Sequence, residues 1–447
     1  MYLGIDIGTS KAAAVIADDA GDVLAAASRT HGADRPAPAS RAEQDAEILL
    51  DAAWDAVAGL PADLRAKVRA VGVTGQMHGV AVLDDAGRPL TPLVTWQDGR
   101  CLEGPFLEDL AALTGQVLRT GYGCATLAWL AAGGAMPAGA AAAATIHDLA
   151  VARLCGAAQP VTDPTDAASW GLFTLRSLRW DAPALAAAGI PAVLLPEVRP
   201  CGSRAGEVRR EMARRLGIPA GTAVAVALGD NQASLRATLR EPEQELALTL
   251  GTGGQMSAVL PAGATIDWAA AAPTFEFRPY PGGRYAVVAA SLCGGAAWAW
   301  LAQTAETWMR DLGVQPPPRD ELYLKLNAQG LVAEDTLDVR PHFAGERHAP
   351  EPRGTISGID MTNFRPGAVA RGLARGILAN LRDMLPAWAL VGRTRVVGSG
   401  NALRRNVLLQ QMAVEVTGLP LVLTPGREEA ALGAALIAAD LVRAKVR

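Results

Sequence analysis

The sequence predicts an α/β protein made of two β-rich halves, and three observations carry that expectation. The chain has 447 residues, too many for one ordinary hydrophobic core, so two domains are the default. Its residues are 50% hydrophobic and 19% charged, the balance of a compact globule and not of a disordered chain. One pattern also occurs twice: an apolar strand, a turn rich in Gly and Thr, then a second apolar strand. It begins at Tyr2 and again at Glu245. The expected division is 1–228 and 229–447.

Taken in order, the first half opens with apolar runs at residues 2–6, 12–17 and 22–28, separated by Gly8-Thr9-Ser10 and by Asp18-Asp19-Ala20-Gly21. The spacing of Ile48, Leu49, Ala52 and Val57 predicts a helix over 46–58. Strands are expected at 68–74 and 80–83, then a run of helices to about Leu154, with the Ala/Gly-rich stretch 131–144 read as a loop and a helix start. A strand over 223–228 leads into Asp230. In the second half, strands are expected at 245–250, 255–260 and 284–291, and a long helix at 367–390. A short strand at 395–397 precedes Gly398-Ser399-Gly400, and one helix is expected over 403–417.

Composition excludes several classes. A net charge of −4 gives no footprint for a nucleic acid or an anionic membrane surface. Five cysteines lie far apart without a CxxC, which argues against a disulfide framework and a zinc site and fits a reducing compartment. No apolar run approaches 18 unbroken residues, and the first strand starts at Tyr2, so the expectation is a cytoplasmic protein without a leader or a membrane partner.

The turns carry the first chemistry. Gly8, Thr9 and Ser10 offer backbone N–H groups and two hydroxyls, the donors a phosphate needs. Asp6 beside such an anion makes sense with a cation between them, so the stretch points to a Mg-nucleotide, Asp6 acting on Mg²⁺ through water. Gly251-Thr252-Gly253-Gly254 repeats the logic, with three positions lacking a Cβ so that backbone amides can approach closely. Either turn taken alone is equally a hairpin.

Seven ordered stretches, LGIDIGTSK, TGQMHGV, TWQDGR, LGDNQAS, LTLGTGGQ, FAGERHAP and VVGSGN, resemble the FGGY carbohydrate kinases of the actin/hexokinase/Hsp70 superfamily, over nearly the whole chain. The resemblance implies two ribonuclease-H-like (actin-like ATPase) domains with a cleft between them, and transfer of a phosphoryl group from ATP to a terminal sugar hydroxyl. TWQDGRC, TGYGCATLAWL, TIHDLAVARLCG and AASWGLF look most like the sedoheptulokinase branch; the D-xylulokinase branch matches these stretches less well. One departure is Lys11, which follows Ser10 directly where many members have two or more intervening residues, so it receives no phosphate role.

Asp230, following the 223–228 run, is the candidate base for the attacking hydroxyl and a second group near Mg²⁺; an N-cap role is the alternative. Sugar contacts are expected from Gln76, Met77 and His78 and from Trp96, Asp98 and Arg100. Asp98 can accept from hydroxyls, while Arg100 either donates in a fork or holds Asp98 in place. Trp96 either stacks on the sugar or belongs to the core, and His78 has a structural alternative of its own. Gly398, Gly400 and Asn401 resemble the family's adenosine-side turn, with Asn406 and Ala431–Ala434 flanking base and ribose. Gly345-Glu346-Arg347 reads as a salt-bridged turn. The pocket that distinguishes a seven-carbon ketose from D-xylulose is expected around Gly123–Leu127. Partners are thus a ketose and MgATP, with a homodimer as an open assembly. A non-catalytic actin-like ATPase is the rival from another class, and the sugar motifs argue against it.

Overall fold

The computed structural model describes residues 1–447 apart from 271, 335–336, 347–348, 350, 352, 425, 427 and 445–447. Its contacts divide the chain into one unit of residues 1–237, 279–283 and 426–447, and a second of residues 238–278 and 284–425.

In the first unit, β1 (Tyr2–Ile7), β2 (Lys11–Ala17) and β3 (Val23–Thr30) form an antiparallel meander. Alternate residues of β1 face opposite sides of the sheet. Leu3, Ile5 and Ile7 join a core with α1 (Ala46–Ala58), and burying each such side chain contributes roughly 1.5–3 kcal/mol. Asp45 caps α1 by accepting from the N–H groups of Glu47 and Ile48. The buried stripe of α1 differs from expectation: Ile48 is exposed, and Ala46, Leu49, Leu50, Ala53 and Val57 follow the helical period inward.

β4 (Ala70–Gly75) runs parallel to β1. Further along come α2 (Gly123–Ala132), α3 (Ile146–Cys155) and the single turn α4 (Pro164–Ala167). Next are β5 (Arg204–Glu207), β6 (Ala223–Ala225), β7 (Leu228–Gly229) and α5 (Asp230–Thr238). The sheet order is β5-β6-β4-β1-β2-β3, with β7 also pairing parallel to β4. Part of the Ala-rich stretch is not a helix start: Ala142–Ala144 pairs antiparallel with Ala81–Leu83, fully buried. Tertiary pairing there overrides alanine's helical preference.

The second unit repeats the scheme. β8 (Glu245–Leu250), β9 (Gly254–Val259), β10 (Phe275–Tyr280) and β11 (Arg284–Ser291) are followed by α6 (Gly295–Asp311), α7 (Arg319–Val332) and α8 (Pro366–Met384). α8 ends before Pro386, as the residue preceding a proline is pushed out of the helical region. Then come β12 (Arg395–Ser399), α9 (Asn401–Arg405), α10 (Val407–Thr417) and β13 (Leu421–Leu423), giving the order β10-β11-β9-β8-β12-β13. As β1 pairs antiparallel with β2 and parallel with β4, so β8 pairs antiparallel with β9 and parallel with β12. The single helix expected over 403–417 is two helices, because Asn406 leaves the helical conformation and caps α10 with its side chain.

The last helix, α11 (Glu429–Ala444), packs on β1 and β4 of the first unit. The expected second half therefore gives its two ends, 229–237 and 426–447, to the first unit. Glycine makes this docking possible. A Cβ on Gly4 would lie 1.8 Å from the Ala431 carbonyl oxygen, and one on Gly72 would lie 2.0 Å from that of Ala434.

Candidate functional site

Register brings the principal carboxylates of the first unit together. Ile7 of β1 and Gly229 of β7 both pair with Gly75 of β4, from opposite sides. Asp6 and Asp230, the neighbours of Ile7 and Gly229, thus lie at the carboxyl ends of parallel strands, where α/β sheets place their ligands. The Gly229 N–H donates to Thr165 Oγ1 at 2.9 Å, fixing the approach to Asp230. Asp230 opens α5 and is half-buried. Asp6 Oδ1 is enclosed and, among the described residues, has no hydrogen-bond partner. Burial first, then the charges of Asp230 and Glu428, push the Asp6 carboxyl up to about 7. An enclosed, unpartnered oxygen among like charges is a place that a divalent cation fits.

Glu428 is a member of this group that the sequence did not disclose. Its backbone adopts φ 64°, an uncommon conformation for a residue other than glycine, and its carboxylate pairs with Lys11. Lys11, left without a role by the sequence, thus has a local ionic partner.

The first turn is tied to the sugar motifs. Gly8 N–H bonds to the Lys11 carbonyl at 3.0 Å, closing the turn. The Thr9 hydroxyl accepts from Trp96 Nε1 at 3.0 Å and donates to Gln76 Oε1 at 3.4 Å. It is therefore engaged by expected sugar residues, while Ser10 is exposed. Gln76 in turn donates to Gln44, which reaches the Thr9 carbonyl at 2.8 Å. Trp96 keeps 47% of its surface exposed, so the ring is no core residue and offers a face beside the turn.

Met77 packs against Gly229: a Cβ there would meet Met77 Cε at 2.6 Å and Sδ at 2.7 Å. His78 has φ 75°, its Nδ1 lies 2.7 Å from the Ser169 carbonyl, and its backbone N–H donates to Ser169 Oγ. Its ring stacks on Tyr122 at 4.8 Å with an 8° interplanar angle. A strained backbone held this firmly is typical of functional sites.

Asp98 and Arg100 differ from the expectation of sugar contact. Asp98 is 0% exposed, and its oxygens accept from Arg100 Nε at 2.7 Å, Arg100 Nη2 at 3.0 Å, Arg100 N at 2.9 Å and Ala42 N at 2.8 Å. Burial pushes its carboxyl up, but these bonds outweigh burial and hold it below the ordinary value. Arg100 also pairs with Glu43 at 2.6 Å and lies over the Trp129 ring. The pair braces the loop that presents Trp96; holding Asp98 in place is the role Arg100 fills. The expected pocket at Gly123–Leu127 is likewise core: all five residues are buried, and a Cβ on Gly123 would strike Trp170 at 2.8 Å. From that motif it is Tyr122 that reaches the site.

In the second unit, Gly251 and Thr252 are exposed and Gly253 half-buried. The carbonyls of Gly251 and Thr252 accept from the Gly295 and Ala296 N–H groups that begin α6, at 2.8 and 2.9 Å. The turn is thus locked to a helix end by its oxygens. Gly400 has φ 88°, and a Cβ there would lie 2.3 Å from the Leu250 carbonyl oxygen. Asn401 is exposed beside it. Gly398 is instead buried under Leu403, Leu421 and Leu423; it is a packing glycine. Asn406 is buried and caps α10, and Ala431–Ala434 belong to α11 against the first sheet. Glu346 accepts from Ser291 Oγ at 2.6 Å, Leu292 N at 3.2 Å and Asn380 Nδ2 at 2.9 Å, while Arg347 lies outside the described residues. Sequence reasoning missed Tyr122, Thr165, Ser169 and Glu428. Tyr122 and Ser169 lie in segments that the motifs had already marked; Thr165, two residues before AASWGLF, and Glu428 had no signal.

No helix among the described residues is long and apolar enough to cross a membrane. The family model for the FGGY carbohydrate kinase N-terminal domain matches residues 1–236, and that for the C-terminal domain matches 246–440. Sedoheptulokinase of Homo sapiens is 36% identical, with 97% of this chain and 96% of that protein covered. Xylulose kinase of Klebsiella pneumoniae is 27% identical over 98% of this chain and 89% of its own. Among solved structures, xylulose kinase from Rhodospirillum rubrum superposes with a TM-score of 0.81 at 25% identity, covering 100% of this chain and 90% of that one. The duplicated sheets, the paired carboxylates and these matches agree: the chain belongs to the FGGY family of carbohydrate kinases.

Proposed function

We propose that this carbohydrate kinase transfers the terminal phosphoryl group of MgATP to the terminal hydroxyl of a ketose, sedoheptulose, giving sedoheptulose 7-phosphate. The observation that carries the chemistry is the convergence of Asp6 and Asp230 on Gly75 through β1 and β7, with Asp6 Oδ1 unpartnered among the described residues. The choice of sugar is supported by the 36% identity to human sedoheptulokinase, against 27% to a xylulose kinase.

Phosphoryl transfer passes through a loose transition state, so the protein chiefly positions reactants and balances charge. In this reading Asp230 accepts the hydroxyl proton as the phosphoryl group arrives. Asp6, with Asp230 near it, would hold Mg²⁺ through water, and the ion would supply charge neutralisation on the phosphates. In the first unit the N–H groups of Thr9 and Ser10 are the phosphate donors, that of Gly8 being taken by the Lys11 carbonyl; in the second unit, where the Gly253 carbonyl takes the Gly251 N–H, the nucleotide donors are Thr252 and Gly253, with Gly400-Asn401 on the adenosine side. Trp96, Met77, His78 and Gln76 form the wall against which the sugar is set, braced from behind by Asp98 and Arg100.

A coupled ADP-release assay over a panel of ketoses and polyols tests this. The expected result is a higher kcat/KM for sedoheptulose than for D-xylulose. A ten-fold preference for D-xylulose, about 1.4 kcal/mol of transition-state discrimination the other way, would remove the sedoheptulose assignment and leave the kinase.

A further inference from the structure

Behind the carboxylate end of the first sheet lies a buried ionic cluster that the reaction described above does not use. His147 and Asp148 of α3 and Asp166 of α4 are each 0% exposed. His147 Nε2 stands 3.2 Å from Asp166 Oδ2, and Asp166 also accepts from Thr145 Oγ1 at 3.0 Å. The ring lies against Gly75, where a Cβ would be 3.3 Å from His147 Nδ1. Gly75 is the residue on which Ile7 and Gly229 converge. The imidazole therefore sits beneath the point where the strands carrying Asp6 and Asp230 meet. The turn that holds it does double service, since Asp166 takes the ring while Thr165, its neighbour, takes the Gly229 N–H.

Burial alone would strip His147 of its proton, but Asp166 first, then Asp148 and Asp230, push it up to about 9. Asp148 is driven well above the ordinary carboxylate value by burial and by Asp166. Burial also opposes ionisation of Asp166, but His147 holds it below the ordinary value. At neutral pH the imidazole keeps its proton beside the Asp166 carboxylate. A fully buried charge is expensive to keep unless it is paired; Asp230 acts on this one through space, as it acts on Asp6.

We propose that His147 is a positioning residue of the phosphoryl-transfer site: its buried ring, 3.2 Å from Asp166 and against Gly75, sets the strand on which those carrying Asp6 and Asp230 converge and offsets their carboxylates from behind. The proposal rests on the assignment of Asp6 and Asp230 given above. With His147 neutral, those carboxylates would face each other uncompensated, and turnover would fall although no ligand contact is lost.

The test uses the full chain with MgATP and ketose, measuring kcat, both KM values and the melting temperature for His147→Gln, His147→Lys, Asp166→Asn and the double variant His147→Gln/Asp166→Asn. His147→Gln should lower kcat by 10- to 100-fold with both KM values within three-fold of wild type, and His147→Lys, which restores a charge, should recover at least a third of the wild-type kcat. Asp166→Asn should fall like His147→Gln, and the double variant should be no slower than the slower single one, since the two act as a unit. Should His147→Lys fail to fold, that cycle decides. A folded His147→Gln enzyme with kcat within two-fold of wild type overturns the proposal. So does additive loss in the double variant, or a stoichiometric metal ion that survives dialysis against chelator and is lost in His147→Gln. A wild type active on ketoses with an unaffected His147→Gln enzyme sinks this inference alone; a wild type inactive on every ketose and polyol removes the proposed function and this inference with it.

Discussion

Gly8-Thr9-Ser10 joins β1 to β2 in the first unit, and Gly251-Thr252-Gly253 lies between β8 and β9 in the second. In both, the strand before the turn pairs antiparallel with the strand after it and parallel with a later one. Their surroundings differ. The first turn is next to Asp6 and Asp230, beside the Lys11–Glu428 pair, and its Thr9 is bound by Gln76 and Trp96. The second is hemmed in by backbone: a Cβ on Gly253 would lie 2.7 Å from the Ser291 carbonyl oxygen, one on Gly294 2.3 Å from that of Gly253, and one on Gly400 2.3 Å from that of Leu250. One backbone scheme thus supports a charged, side-chain-built site in one copy and a cradle made of main chain in the other. In this account, chemistry and sugar belong to the first, and nucleotide positioning by the second follows from its lack of side chains.

The largest expected effect is at Asp230. Asp230→Asn keeps size and reach but removes the proton acceptor, so kcat should fall by about 10²–10⁴ with dissociation constants for sugar and ATP within a few-fold. An N-cap would tolerate Asn, leaving activity nearly intact; retention of more than a tenth of wild-type kcat in steady-state assays would move the base elsewhere.

Next in size is Asp98. Its removal leaves Arg100 buried with only Glu43, and breaking a buried pair costs roughly 3–5 kcal/mol. Asp98→Ala should lower stability in chemical denaturation by that order, and weaken sugar binding only through the Trp96 loop. A variant as stable as wild type but unable to bind sugar would restore Asp98 as a direct ligand.

A smaller effect distinguishes Asp6 by its pH dependence. A carboxyl raised to about 7 in the folded chain favours the folded state fully below the unfolded value near 4; that contribution is lost as pH rises toward 7 and stays lost above it. Asp6→Asn cannot titrate, so it should gain on wild type by on the order of 2–3 kcal/mol between pH 5 and pH 8, measured without Mg²⁺, while losing activity. Parallel stability curves for the two proteins would show that Asp6 is not held among like charges.

Much of this was legible in the sequence. The duplicated strand-turn-strand pattern located both sheets because apolar runs bounded by Gly are local signals, and the helix over 46–58 was legible in its spacing. The failures share a cause. Trp96 and Asp98 are two residues apart, yet one is exposed and the other sealed. Nothing in TWQDGR says that Ala42 and Arg100 consume every carboxylate oxygen, because Ala42 comes from a distant segment. Glu428 and Lys11 are 417 positions apart and meet through the docking of α11. The glycines at 4 and 72 that admit this helix, and Gly433 within it that admits the Ala233 carbonyl, read as ordinary residues until the backbones lie against one another.

The division of labour between the two turns has one direct test, isothermal titration of a non-hydrolysable MgATP analogue and of the ketose, separately, against Trp96→Ala and Gly253→Val. Trp96 offers an exposed face in the first unit, and a side chain at Gly253 meets the Ser291 carbonyl in the second. The account predicts that Trp96→Ala weakens the sugar by at least ten-fold with the nucleotide within three-fold of wild type, and that Gly253→Val does the reverse. Equal losses for both ligands in either folded variant, or the opposite assignment, would contradict it.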